Sequence, residues 1–191
     1  MKATRANSRN EELLEAAAAL FATRGFVATS MRDIAKAADM LPGSIYYHFP
    51  SKDDLLLAIY RIGVARITEA LDAAIEPIEE PWERLTAAIS ALVEAVTEES
   101  SFTRVIFKVS PDEVAKYTPE LIAFRDSFER YFRILIDQLP LAPWVDRHLL
   151  RLLILGAGNH AQLWYTQGGR NTAQEIGEQF CRLVREAADS G

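Results

Sequence analysis

Tyr46, Tyr47, His48 and Lys52 place two phenols, an imidazole and an ammonium within seven consecutive positions. They stand in Asp39–Leu55, DMLPGSIYYHFPSKDDL, a stretch of seventeen residues. These groups donate hydrogen bonds, one carries positive charge, and all crowd around two apolar anchors, Ile45 and Phe49. A short helix that gives two residues to a core and shows donors elsewhere suits an anionic surface. A nucleic-acid duplex, with phosphates outside and a readable groove between them, has that chemistry. No nucleophile–base pair is apparent and no His/Cys/Asp cluster has metal-ligand spacing, so neither catalysis nor a metal is expected, and no cofactor is implied.

The elements that must hold these groups follow from local signals. Leu13, Leu14, Ala17, Leu20 and Phe21 recur at helical spacing across residues 9–24, and Gly25 follows where a helix C-terminus favours it. Thr29-Ser30 offers an N-cap oxygen to a second helix, Met31 to Ala38, with Ile34, Ala35 and Ala38 on one face. Asp39-Met40 makes a turn, Asp39 tolerating the left-handed conformation. Pro42 suits a first helical position that lacks its N–H. Ser51 and Asp54 form a capping pattern for a long helix from Lys52. Two short helices joined by a tight turn are the DNA-reading unit, whose second helix enters the major groove.

At the front of that second helix, Pro42 and Ser44 are the base-edge candidates, and Gly43 lets the backbone come close. Arg32 has the fork to read a guanine, or else it pairs with Asp33 on the surface. Thr29 can bond a phosphate as well as cap. Lys2, Arg5 and Arg9 form either a minor-groove arm or a loose tail.

Charge is distributed to match. The 191 residues carry a net charge of −6. Residues 1–60 hold seven basic and seven acidic side chains, and the remainder holds fourteen and twenty. The neutral N-terminal part admits DNA and the acidic remainder repels it. One cysteine, Cys181, excludes an internal disulfide framework and fits a reducing compartment. The start MKATRANSRN has no apolar run behind it, so no signal peptide is expected, and no apolar run is long enough to span a membrane. A cytoplasmic protein with no membrane partner is the expectation.

The remainder reads all-helical. Helices are expected over 52–75, 82–98, 101–109, 118–139, 145–165 and from a Thr172/Glu175 cap to about residue 188, with Pro77 and Pro81 closing the first of these and Ser110-Pro111 another cap signal. That makes about nine helices in all. Leu149, Leu152, Leu153 and Gly156 share a side with His160, and Ile176, Phe180, Leu183 and Val184 line the last helix. Such a pair either forms half of a four-helix interface with a second copy or is an ordinary core hairpin. The middle helices are rich in aromatic residues: Phe102, Phe107, Phe124, Phe128, Tyr131 and Trp164, mixed with Arg104, Asn159 and His160. Apolar walls with a few polar groups describe a small-molecule pocket. Core aromatics with surface arginines give the same pattern.

These residues carry a resemblance. ALFATRGF, then TSMRDIAKAA, then GSIYYHFPSKDDL resemble the DNA-binding domain of TetR-family transcriptional regulators, over about a quarter of the chain. That family often has Gly-Val-Ser where this chain has Asp39-Met40-Leu41. The resemblance implies an all-α chain: a helix-turn-helix DNA-binding domain at 1–51 and a helical ligand-binding and dimerisation domain at 52–191. It implies that Tyr46, Tyr47, His48 and Lys52 meet phosphates or base edges, that the protein is a homodimer on an inverted-repeat operator in duplex DNA, and that an effector acts by shifting the helix 52–75. Leu41–Pro50, WERL at Trp82–Leu85 and WYTQGG at Trp164–Gly169 are similar to a subgroup repressing lipid, steroid or aromatic catabolism. Acyl-CoA thioesters, fatty acids and aromatic compounds are the effector classes this implies, with Arg104, Lys108 and Arg125 available for phosphates. A helical protein-binding adaptor and an all-helical enzyme are the rival classes.

Overall fold

The computed structural model describes residues 2–98, 100–109, 114 and 117–189. Ten helices and no strand occur among them: α1 (Lys2–Arg24), α2 (Met31–Ala37), α3 (Pro42–His48), α4 (Lys52–Ile75), α5 (Pro81–Thr97), α6 (Ser101–Lys108), α7 (Thr118–Asp137), α8 (Arg147–Asn159), α9 (Ala161–Trp164) and α10 (Ala173–Asp189). The chain divides into two compact units, residues 1–65 with 99–124, and residues 66–98 with 125–191. By packing, α4 belongs to the first unit as far as Ala65, and α6 and the start of α7 join that unit.

The first unit is built on α1, whose Leu13, Ala17, Ala18 and Phe21 are fully buried. They meet Ile34, Ile45, Leu55, Leu56 and Ile59 from the next three helices, Phe102 and Val105 from α6, and Val109 at its C-cap in one apolar cluster. Gly25, at φ +89°, ends α1 and its N–H bonds the Phe21 carbonyl at 3.0 Å. Lys108 Nζ donates to the α1 carbonyls of Ala22 and Thr23, at 2.7 and 3.2 Å. An ammonium at a helix C-terminus satisfies orphan carbonyls and complements the dipole. Close approach of α6 to α4 leaves no room for a side chain at Gly63, where a Cβ would lie 2.9 Å from the Phe102 carbonyl oxygen.

In the second unit α5 is the central element, with Leu85, Ala88 and Leu92 fully buried. It packs against α8, α9 and α10. Gly177 sets the α5–α10 approach, since a Cβ there would lie 2.7 Å from the Thr86 carbonyl oxygen. Arg84 donates to the carbonyls of Ile75, the last residue of α4, and Ile78, at 3.4 and 2.9 Å, and Arg147 donates to those of Ile136 and Leu139 at the end of α7.

Three expectations of extent are corrected. α1 begins at Lys2, not near Arg9, so residues 2–8 are helix rather than an extended arm; the side chains of Lys2 and Arg5 lie outside the described residues, as does the Ser110-Pro111 cap. Pro81 opens α5 instead of closing α4, with the Glu80 carboxylate accepting from the Glu83 N–H at 2.7 Å. The helix expected over 145–165 breaks at His160, whose N–H turns to the Gly158 carbonyl. Glycines at 156 and 158 weaken the preceding turn.

Candidate nucleic-acid interface

The reading unit is assembled by short-range hydrogen bonds. Ser30 caps α2 in a reciprocal pair with Asp33: the Asp33 N–H donates to Ser30 Oγ at 3.2 Å and the Ser30 N–H donates to Asp33 Oδ2 at 2.9 Å. The Ser30 donors hold the Asp33 carboxyl below its ordinary range. Asp39 takes φ +50°, turning the chain so that the Met40 N–H reaches the Ala35 carbonyl at 2.9 Å. Leu41 then caps α3 without a side-chain bond, and Pro42 is its first residue. Ile45 is fully buried and Phe49 packs partly buried against the same cluster. Ser51 Oγ accepts from the Asp54 N–H at 3.2 Å, starting α4.

On this frame Pro42, Gly43, Ser44, Tyr46, Tyr47 and His48 are all exposed, Tyr47 by 87%. The rings of Tyr47 and His48 stand edge-on, 5.3 Å between centroids. Arg32 is exposed and makes no ion pair among the described residues; the alternative partner, Asp33, is committed to Ser30. Arg32, Tyr46 and Lys52 border one open groove of about 570 Å³ beside Val27–Met31. Arg9 is exposed on α1.

Two expected contacts change. Thr29 is 1% exposed and its hydroxyl donates to the Gly25 carbonyl at 2.8 Å, so its side chain braces the end of α1 against the start of α2 instead of standing open to a phosphate. Lys52 Nζ donates to the carbonyls of Phe26 and Thr29 at 2.8 and 2.9 Å and lies 4.3 Å from the Phe26 ring centroid. Two of its three N–H groups are therefore spent on the loop before α2, which leaves one for DNA.

Sequence reasoning missed two residues that steady this unit. Lys108, available for effector phosphates by its residue type, uses its ammonium to close α1. Tyr117 donates its hydroxyl to Asp54 Oδ1, tying the segment before α7 to the first turn of α4. Neither has a local signal, because each partner lies dozens of residues away.

The nine residues read as pocket lining fall in both units. Phe102, Arg104, Phe107 and Phe124 belong to the first; Phe102 is 5% exposed within its apolar cluster, Arg104 faces solvent, and Phe124 stands 6.1 Å from the Tyr60 ring. Phe128, Tyr131, Asn159, His160 and Trp164 belong to the second. The Tyr131 hydroxyl donates to Asp72 Oδ1 at 2.9 Å, and burial together with that carboxylate pushes its pKa up. Asn159 Oδ1 is buried with no hydrogen-bond partner, whereas His160 and Trp164 are exposed. Arg125, largely exposed, lies near Asp126 and Glu129, at 3.4 and 3.9 Å.

On α8 and α10 the expected stripe is largely uncovered. Leu149, Leu152, Leu153 and Leu183 are 44–66% exposed, Gly156 is exposed, and Ile176, Phe180 and Val184 are partly buried. Trp144, which sequence reasoning passed over, joins Leu149, Leu153, Phe180, Leu183 and Val184 around an apolar groove of about 450 Å³.

Comparison with known proteins agrees with this geometry. The family model "Bacterial regulatory proteins, tetR family" matches residues 13–59, and "Tetracyclin repressor-like, C-terminal domain" matches residues 79–188. The HTH-type transcriptional repressor KstR2 of Mycobacterium tuberculosis (strain ATCC 25618 / H37Rv) is 34% identical over 189 residues, covering 93% of this chain and 92% of that protein. Among solved structures, AibR in complex with isovaleryl coenzyme A and operator DNA has a TM-score of 0.78 at 25% identity, over 92% of this chain and 97% of that one. The superantigen PfiT has a TM-score of 0.79 at 26% identity, over 93% and 96%. The chain belongs to the TetR family of bacterial regulatory proteins and is a DNA-binding transcriptional regulator.

Proposed function

We propose that this protein is a repressor that holds an inverted-repeat operator as a homodimer and lets go when a small hydrophobic or acyl-type effector binds. The observation that carries the reading is α3, where a fully buried Ile45 anchors a short helix whose Ser44, Tyr46, Tyr47 and His48 all face solvent. Tyr46, Tyr47, His48 and the remaining N–H of Lys52 serve phosphates. Ser44 and Arg32 serve base edges.

The uncovered leucines of α8 and α10 support pairing with a second copy. An apolar groove of this kind on a free surface is a mark of an interaction site, and two-fold operators require a two-fold protein. Gly156 has nothing within 4 Å of where its Cβ would stand, which leaves that face open to close approach.

For the effector, the support is Asn159. A buried acceptor left unpaired costs about 1–3 kcal/mol, and a ligand donor is one way to recover it. Phe128 and Tyr131, both partly buried in the same unit, are the apolar companions proposed for it. An acyl thioester is the first class to try, since AibR was solved with isovaleryl coenzyme A. The test is reciprocity. Saturating effector must weaken operator binding, and operator must weaken effector binding by the same factor. A compound that binds without that reciprocity is not the effector.

A further inference from the structure

We infer that Leu41 is a specificity-determining residue that reads the C5-methyl group of a thymine at the edge of each half-site. The inference rests on the DNA-binding reading above and adds a residue and a base to it. Leu41 is the N-cap of α3, with φ −70° and ψ 137°, and makes no side-chain cap bond. Ser, Thr, Asp or Asn at an N-cap would satisfy an orphan N–H of the first turn. Leucine forgoes that stabilisation without a gain in core packing, because its side chain is 77% exposed while Ile45, one turn on, is fully buried.

A single exposed leucine needs no explanation on an ordinary surface. This one stands at the front of the reading helix, where N-terminal residues meet base edges, beside exposed Pro42, Gly43 and Ser44. Among the groups that bases present in the major groove, the thymine methyl is the one that rewards an apolar side chain. A local rule broken without compensation inside the fold is expected where function uses the residue. Gly43, with nothing within 4 Å of its Cβ position, adds no side chain to hold Leu41 away from the groove. Ser44 offers a hydroxyl to the neighbouring base pair. The tip of α3 therefore carries one apolar reader and one hydrogen-bonding reader side by side.

The test uses the full-length protein and an operator selected from random duplex DNA. Each thymine of one half-site is replaced in turn by deoxyuridine, which keeps base pairing and removes only the methyl. Wild-type protein is expected to lose about fourfold in affinity at one such position, the worth of one buried methyl. Leu41→Ala is expected to be indifferent at that position, whereas Ser44→Ala still discriminates. Leu41→Ser, which restores a cap, is expected to raise the melting temperature and abolish the discrimination, so a folding defect cannot mimic the result. Tolerance of deoxyuridine everywhere by the wild type, or unchanged discrimination by Leu41→Ala, overturns the assignment while leaving the regulator intact. Failure of selection to yield any operator overturns the regulator reading and this one with it.

Discussion

Lys52 closes over Phe26: its ammonium bonds the Phe26 carbonyl at 2.8 Å and sits 4.3 Å from the centroid of the same residue's ring. The first residue of α4 thereby holds the loop that launches α2, and a cation placed unfavourably for its own helix dipole gains a structural partner. Lys52→Met removes both carbonyl bonds. Because hydrogen bonds to a charged group contribute about 1.5–3 kcal/mol each when shielded, and Lys52 is only partly buried, the expected loss is about 1–3 kcal/mol in a denaturant titration. The same variant should weaken binding to all DNA sequences, and the salt slope should fall by about 0.9 if the third N–H meets a phosphate. An unchanged slope restricts Lys52 to its structural role.

Tyr117→Phe deletes the hydroxyl that meets Asp54 without altering ring volume. We expect a loss of roughly 1 kcal/mol, read as a lower denaturation midpoint with an unchanged denaturant slope. No change in midpoint would mean the contact contributes nothing in solution.

Asp33 offers a test by pH. Its native pKa is lowered, chiefly by the Ser30 side-chain hydrogen bond. A depressed carboxylate stabilises the fold above its unfolded pKa, and that contribution disappears as pH falls through the native value. Chemical-shift titration should place Asp33 below 3.8, its ordinary value, and Ser30→Ala should return it toward that value. A wild-type midpoint at or above the ordinary value contradicts the capping box.

Two glycines separate packing from helix propensity. Gly177→Ala forces a Cβ to within 2.7 Å of the Thr86 carbonyl oxygen and should lower stability by roughly 1–3 kcal/mol. Gly156→Ala meets nothing within 4 Å in its own chain and should stabilise an isolated protomer, by up to about 1 kcal/mol. If α8 faces a second copy, the same change weakens the dimer, which sedimentation at graded concentration reads directly. Equal melting temperatures for the two variants would contradict the α5–α10 packing.

The N-terminal helices were legible because their boundaries are written locally. Ser30, Asp39, Pro42, Ser51 and Gly25 each act through neighbours within four residues, and the structure uses all of them near where the sequence placed them. Lys52 shows the limit. Its residue type suited a phosphate, but a carbonyl from a loop two dozen positions away suits an ammonium equally well, and no local pattern reports that loop. Thr29 differs: its hydroxyl takes the Gly25 carbonyl four residues back, and residue type alone does not separate that use from a phosphate contact. The stripe of α8 and α10 was visible by its period, which shows that a face is apolar and is silent on what covers it. Nor can aromatic composition divide Phe102, a core residue, from the partly buried Phe128 and Tyr131. That distinction depends on packing among helices remote in sequence.

The most direct measurement is selection of bound sequences from a random duplex pool by the purified full-length protein at low salt. Enrichment is expected of an inverted repeat whose half-sites lie one helical turn (~34 Å) or more apart, bound by two or more copies and weakened by alanine at Tyr47. A pool that stays random through successive rounds, with binding no steeper in salt than that of a control protein, would contradict it.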